Sequence, residues 1–184
     1  TSSDINAADD FEIEDGVLVK YHGTERDVLV VPDNVTTIGL RAFSTAYARK
    51  IVLGENVKVI ESEGFAGSGV HIVEMPYVTT IESEAFRNCG SLEKVEFGNE
   101  LKTIDYNAFE NCENLGGELT IPESVTKIGD YAFCNTRIEK VTFLCTDITY
   151  GVSIFSRNDS LKEMYIYGGT LPSWQTSEPW SAES

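Results

Sequence analysis

The sequence is short of positive charge. Lysine and arginine number 14 in 184 residues against 30 aspartates and glutamates, for a formal net charge of −16. So acidic a chain is repelled by phosphate backbones and by anionic membrane surfaces, and nucleic acid is not an expected partner. Long apolar runs are missing too. Nothing approaches the roughly 20 consecutive apolar residues of a membrane-spanning helix, so no direct membrane insertion is expected. The two histidines, His22 and His71, stand far apart, and the four cysteines form no C-x-x-C pair. No zinc ligand set follows from that spacing. Neither G-x-S-x-G, H-E-x-x-H nor a phosphate-cradling glycine loop occurs, so no catalytic residue, metal or cofactor is assigned. Asp9-Asp10 and Glu12, Glu14 and Asp15 lack the spaced ligands and glycine of an EF-hand loop and read as solvated charge. The remainder suits a soluble folded domain, with 41% hydrophobic and 24% charged residues.

What is present is a repeat. The motif V-x-x-I-x-x-x-A-F appears as Val35-Thr-Thr-Ile38-Gly-Leu-Arg-Ala42-Phe43 and again as Val57-Lys-Val-Ile60-Glu-Ser-Glu-Gly64-Phe65. Val78 to Phe86, Leu101 to Phe109 and Val125 to Phe133 follow the same pattern, and a decayed sixth copy ends at Ile154-Phe155. The successive phenylalanines lie 22, 21, 23, 24 and 22 residues apart. After each comes a short alternating segment, clearest in Leu92-Glu-Lys-Val95-Glu-Phe97 and Leu161-Lys-Glu-Met164-Tyr-Ile166.

A unit this short cannot bury its own apolar face, so neighbouring units must stack into a continuous core. The expected architecture is an α/β solenoid, a right-handed leucine-rich-repeat superhelix with a parallel β-sheet on one face and short helical turns on the other. In the strand, Val95 and Phe97 point inward and Lys94 and Glu96 outward. The A-F segment is expected to make the helical turn. Ile38, Ile60, Ile81, Ile104 and Ile128 should form one buried column and the six phenylalanines another.

The string Ala85-Phe-Arg-Asn-Cys89-Gly-Ser-Leu92-Glu-Lys-Val95-Glu-Phe97 resembles the BspA-like (Treponema pallidum-type) leucine-rich repeat, as do the strand-closing Pro32, Pro76 and Pro122. The resemblance spans roughly residues 28 to 168. The opening segment Phe11-Glu-Ile-Glu-Asp-Gly-Val-Leu-Val-Lys-Tyr21 is similar to the non-repeat entry of that family. Members are mostly surface or secreted proteins of host-associated bacteria, several of them regarded as adhesins. The resemblance therefore implies an extracellular or cell-surface location. The chain starts at Thr1 without an apolar leader, so a mature product or a cropped domain is expected, its export signal already gone.

The ends should cap the solenoid. We expect a frayed tether over residues 1–10, a capping hairpin over 11–27 turning at Asp15-Gly16, the repeats over 28–168, and an aromatic cap or linker over 169–184. In that last segment Trp174 and Trp180 could stack on a sugar or fold over the final coil; both readings stay open. Cys89 and Cys112 share the slot three residues after the phenylalanine, close enough in adjacent coils to pair, or equally suited to serve as small buried groups. Asn88, Asn111 and Asn135 recur two residues after it, where an amide is expected to satisfy backbone groups between coils.

Function is then sought on the exposed face of the sheet, where solenoids usually bind. Registering the strands gives two outward columns. One runs Val28, Lys50, Ile72, Lys94, Glu118, Lys140, Glu163, and the other Val30, Val52, Glu74, Glu96, Thr120, Thr142, Tyr165. The apolar start, Val30, Val52 and Ile72, rimmed by Lys50, Lys94, Glu74 and Glu96, is the candidate protein-binding patch, with Thr120, Lys140, Thr142 and Tyr165 extending the face. Two functions are expected to compete: recognition of a host matrix or microbial surface protein, and a structural spacer with no ligand of its own.

Overall fold

A computed structural model describes residues 8–167. Its architecture follows from the short repeat: a β-solenoid in which each coil contributes one two-residue strand on one side and one longer strand on another. The short strands come from the V-x-x-I segments. They are β4 (Thr37–Ile38), β6 (Val59–Ile60), β8 (Thr80–Ile81), β10 (Thr103–Ile104), β12 (Lys127–Ile128) and β14 (Thr149–Tyr150). With the entry hairpin, β1 (Phe11–Glu14) and β2 (Val17–Tyr21), they form one eight-stranded sheet in the order β1-β2-β4-β6-β8-β10-β12-β14. The longer strands make two further sheets. One is β3 (Arg26–Val30), β5 (Ala48–Val52), β7 (Ile72–Met75) and β9 (Lys94–Phe97). The other is β11 (Gly116–Ile121), β13 (Arg137–Phe143) and β15 (Glu163–Ile166). All solenoid pairings are parallel, and only β1 runs antiparallel to its neighbour.

The hairpin turn has the predicted chemistry. Asp15 and Gly16 have φ of 48° and 82°, the pair of positive values a two-residue hairpin loop of this twist requires. The hairpin is also the first coil. β2 pairs in parallel with β4, Leu18 opposite Ile38, and Tyr21 takes the phenylalanine slot. Hairpin pairing ends at Tyr21, and β3 already belongs to the repeat sheet. Where a tether was expected, Ala8–Asp10 form a 3-10 turn, and the Asp10 carboxylate accepts a 2.8 Å hydrogen bond from Arg26. The remainder of the tether and the aromatic segment with Trp174 and Trp180 lie outside the described residues.

Like residues stack on like. The rings of Phe43, Phe65, Phe86, Phe109 and Phe133 follow one another at 4.8, 4.6, 4.8 and 5.0 Å between centroids. Their planes lie within 23° of each other. Isolated rings prefer offset or edge-to-face contact. The backbone repeat of about 4.8 Å between strands sets the rings at a spacing within the offset-stacked range, near-parallel along the column. Ile38, Ile60, Ile81, Ile104 and Ile128 are fully buried beside it, each opposite its equivalent in the ladder.

The expected helical turns are absent: no α-helix occurs among the described residues. The reason is backbone geometry. Two residues before each phenylalanine the chain is left-handed, at Arg41, Glu63, Glu84, Asn107, Tyr131 and Ser153, with φ between 50° and 61°. Two residues after, it is left-handed again at Gly67, Asn88, Asn111, Asn135 and Arg157. A right-handed helix cannot propagate past either position. The N–H groups flanking the phenylalanine close single i→i−3 turns, as Ala85 to Glu82 and Arg87 to Glu84, and that of the phenylalanine bonds across coils. Phe43, Phe65, Phe86, Phe109 and Phe133 donate to the carbonyls of Gly64, Ala85, Ala108, Ala132 and Ile154 at 2.7–2.9 Å.

The cysteine and asparagine slots become clear in this frame. All four cysteines are free and buried. Cys89 and Cys112 donate their S–H to the carbonyls of Phe65 and Phe86 at 3.0 and 3.1 Å, much as Ser68 donates to Ala46. Burial, with Cys89 beside it, holds the Cys112 thiol well above its ordinary pKa. The asparagines bond to one another rather than to backbone. Asn111 Nδ2 donates to Asn88 Oδ1 at 2.9 Å and Asn135 Nδ2 to Asn111 Oδ1 at 3.0 Å. Asparagine also tolerates the left-handed backbone better than most residues.

Two outcomes follow. Phe109→Ala, in mid-column, should destabilise by about 3–5 kcal/mol in urea unfolding; a loss below about 1 kcal/mol would show that the ring column is not a continuous core. Thiol reagents at pH 8 should label none of the four cysteines until the chain unfolds, because buried thiols are out of reach of the reagent. Rapid native labelling of Cys89 or Cys112 would contradict the burial described.

Candidate functional site

The outward columns assemble as ladders. Val28 lies opposite Lys50, Lys50 opposite Ile72 and Ile72 opposite Lys94. In the second column Val30 lies opposite Val52, Val52 opposite Glu74 and Glu74 opposite Glu96. Alternation along each strand carries this arrangement, since Leu29, Ile51 and Val73 between them are fully buried. Val28 and Val30 remain 41% and 49% exposed, with Val52 and Ile72 half-buried beside them.

The rim charges are already engaged. Glu74 and Glu96 oppose each other directly, a like-charge contact that is unfavourable across strands. Lys50 offsets it through an ion pair with Glu74, and Lys94 through one with Glu96 at 2.5 Å. Lys94 accordingly holds the Glu96 carboxyl below its usual pKa range, with Lys50 adding to the effect. Such exposed pairs contribute only about 0–1 kcal/mol each. They neutralise the rim and leave the valines and Ile72 as its apolar centre.

The face is not continuous. Thr120, Lys140, Thr142 and Tyr165 sit on the three-stranded sheet, where Glu118, Lys140 and Glu163 align, as do Thr120, Thr142 and Tyr165. Lys140 bonds to Glu118 at 3.3 Å and lies 5.4 Å over the Tyr165 ring. Between β9 and β11 no ladder forms, although they belong to consecutive coils. The longest spacing in the repeat, Phe109 to Phe133, falls here, and Gly116-Gly117 open β11; on its other side β11 pairs with β13 across a bulge that leaves Glu139 unpaired. The seam admits solvent: Val95 and Leu119 are 9% and 5% exposed, where Leu29, Ile51, Val73 and Val141 are at 0%. Thus the eleven candidate residues fall into two groups, seven before the seam and four after it. The sequence carried a signal for the break, a longer period with a glycine pair, and the single-face expectation passed over it.

A second feature escaped the sequence reading. Where β3, β5 and β7 begin, Tyr47, Arg49 and His71 line a groove. Tyr47 and Arg49 stand at the start of β5 and His71 just before β7 in the next coil, and no repeat motif joins them.

Fold and face together define a leucine-rich-repeat β-solenoid. The sequence matches the BspA type leucine rich repeat region in six copies, over residues 21–116 and 79–172, and the chain belongs to that family. The family is a repeat region and names no reaction. Among solved structures, a leucine rich repeat protein of T. pallidum is similar, with 24% identity and a TM-score of 0.73 over 89% of this chain and 85% of that one. A leucine rich cell surface protein of Faecalibacterium prausnitzii is similar with 22% identity and a TM-score of 0.57. The chain aligns over 88% of its length with about half of that protein, 52%. At these identities the likeness shows the fold. No curated protein matches the chain.

Hydrogen exchange tests the seam. Amides in β9 and β11 should exchange roughly tenfold or more faster than those of β5, β7 and the eight-stranded sheet. Uniform protection across all three sheets would mean that the candidate face is one surface.

Proposed function

We propose that the chain is an extracellular recognition module that binds a protein ligand, of host matrix or microbial surface, through the four-stranded half of its exposed sheet. The observation that carries this is the patch of Val28, Val30, Val52 and Ile72. It is apolar in a chain of net charge −16, and its rim charges pair with one another. Exposed apolar surface with a neutralised polar rim is the anatomy of a protein contact. The family, and the surface protein of F. prausnitzii with its similar fold, support an extracellular setting. The second reading is a spacer, favoured by the seven parallel short strands β2 to β14, a continuous sheet able to hold a neighbouring domain at a distance.

The two readings part on one experiment. The intact chain is passed over a panel of immobilised, purified matrix proteins and compared with a variant carrying Val52→Thr, Ile72→Thr and Glu74→Gln. These replacements keep strand-compatible side chains. Recognition predicts saturable binding to at least one protein, weakened by about tenfold or more in the variant with its circular dichroism unchanged. A flat response to the whole panel would leave the spacer reading standing, and equal binding by both chains would overturn the assignment of the site to this patch.

A further inference from the structure

A groove of about 330 Å³ opens at the start of the four-stranded sheet, lined by Glu25, Asp27, Tyr47, Arg49, Gly69 and His71. That is the lower end of the roughly 300–1,000 Å³ usual for small-molecule sites. It borders the apolar patch without sharing its residues. Three successive coils hold it in place. The Arg26 N–H donates to the Tyr47 carbonyl at 3.1 Å, the Gly69 N–H to Ala46 at 2.9 Å, and the His71 N–H to Ala48 at 3.1 Å.

Tyr47 is 63% exposed, the most exposed large hydrophobic side chain among the described residues. Glycine at position 69 permits its position. A Cβ built there would lie 2.4 Å from the ring, so the tyrosine rests against a bare Cα and keeps most of its surface open. Polar groups of both signs surround it. Arg49 has a single 4.0 Å contact with Glu93, too long for a hydrogen bond, so its guanidinium donors face the groove without a close partner. His71 uses Nδ1 on Glu93 at 2.9 Å and keeps Nε2 for another contact. Glu25 and Asp27 form no ion pair among the described residues and supply acceptors.

This mixture decides the ligand chemistry. An anion drawn to Arg49 would meet Glu25 and Asp27, and a cation drawn to those carboxylates would meet Arg49. A neutral polyhydroxylated ring satisfies both. Its adjacent hydroxyls accept from the guanidinium and imidazole and donate to the carboxylates, while its C–H face packs on the aromatic ring. We infer that the groove binds one or two residues of a neutral glycan, with Tyr47 as the stacking platform and Arg49, Asp27 and Glu25 as the hydroxyl-reading groups. This site is separate from the protein-binding patch, and neither depends on the other.

Saturation-transfer NMR of the intact chain tests it. The probes are neutral oligosaccharides of glucose, mannose, galactose and N-acetylglucosamine, beside acidic ones bearing uronate or sialate. At least one neutral oligosaccharide should bind with a Kd of about 1 mM or tighter. Tyr47→Ala should weaken it by about tenfold or more and Asp27→Asn by several-fold, whereas Tyr47→Phe, which keeps the ring, should change it by less than about threefold. The Val52→Thr, Ile72→Thr, Glu74→Gln variant should bind as the parent does. The inference is overturned if no neutral sugar gives transfer, or if Tyr47→Ala and Asp27→Asn leave binding unchanged. Binding confined to acidic probes and removed by Arg49→Ala would likewise overturn it, by showing an anion site.

Discussion

Within each parallel ladder of the described residues, a side chain lies over its equivalent in the next coil at the spacing of hydrogen-bonded strands, and the rest of the structure depends on that register. Inside, the register turns one favourable residue per repeat into a column. Phenylalanine stacks on phenylalanine at 4.6–5.0 Å through the central coils, and isoleucine on isoleucine with no exposure. It also settles the polar interior. The small side chain three residues after Phe65, Phe86 and Phe109, respectively Ser68, Cys89 and Cys112, reaches a carbonyl of the coil before it. Because each coil is satisfied only by its neighbours, stability is shared along the stack rather than held in one unit.

Outside, the same register is a constraint on charge. A repeated glutamate would stack like on like, as Glu74 and Glu96 do, and lysines from the adjacent column neutralise the pair. Asparagine escapes the difficulty because its amide both donates and accepts, which lets Asn88, Asn111 and Asn135 chain together. Apolar residues stack without conflict, so a run of valines on one strand edge persists as a patch. Where the ladder is interrupted, between β9 and β11, the columns end and the face divides.

Much of this was legible in the sequence because period and alternation determine which residues turn inward. The isoleucine and phenylalanine columns, the hairpin at Asp15-Gly16 and the ladder Val28, Lys50, Ile72, Lys94 all follow from spacing alone. The return side was misread as helical. Gly67, Asn88, Asn107, Asn111 and Asn135 are types suited to its left-handed positions, but Arg41, Glu63, Glu84, Tyr131, Ser153 and Arg157 occupy others and announce no positive φ. The hydrogen bonds that replace the helix run between coils, and a linear reading has no access to them. The Tyr47 groove was hidden for a related reason: its residues belong to three coils and to no motif, and the role of Gly69 emerges only when Tyr47 is seen against it.

The central claim is that coil-to-coil register alone decides which side chains the sheet presents. Cysteine scanning along β7 tests it directly, since the native thiols are buried and give little background. Ile72→Cys and Glu74→Cys should react in the folded chain within about tenfold of an unstructured thiol, and Val73→Cys and Met75→Cys roughly 100-fold more slowly. Equal rates at all four positions, or protection of 72 and 74 with exposure of 73 and 75, would contradict the account.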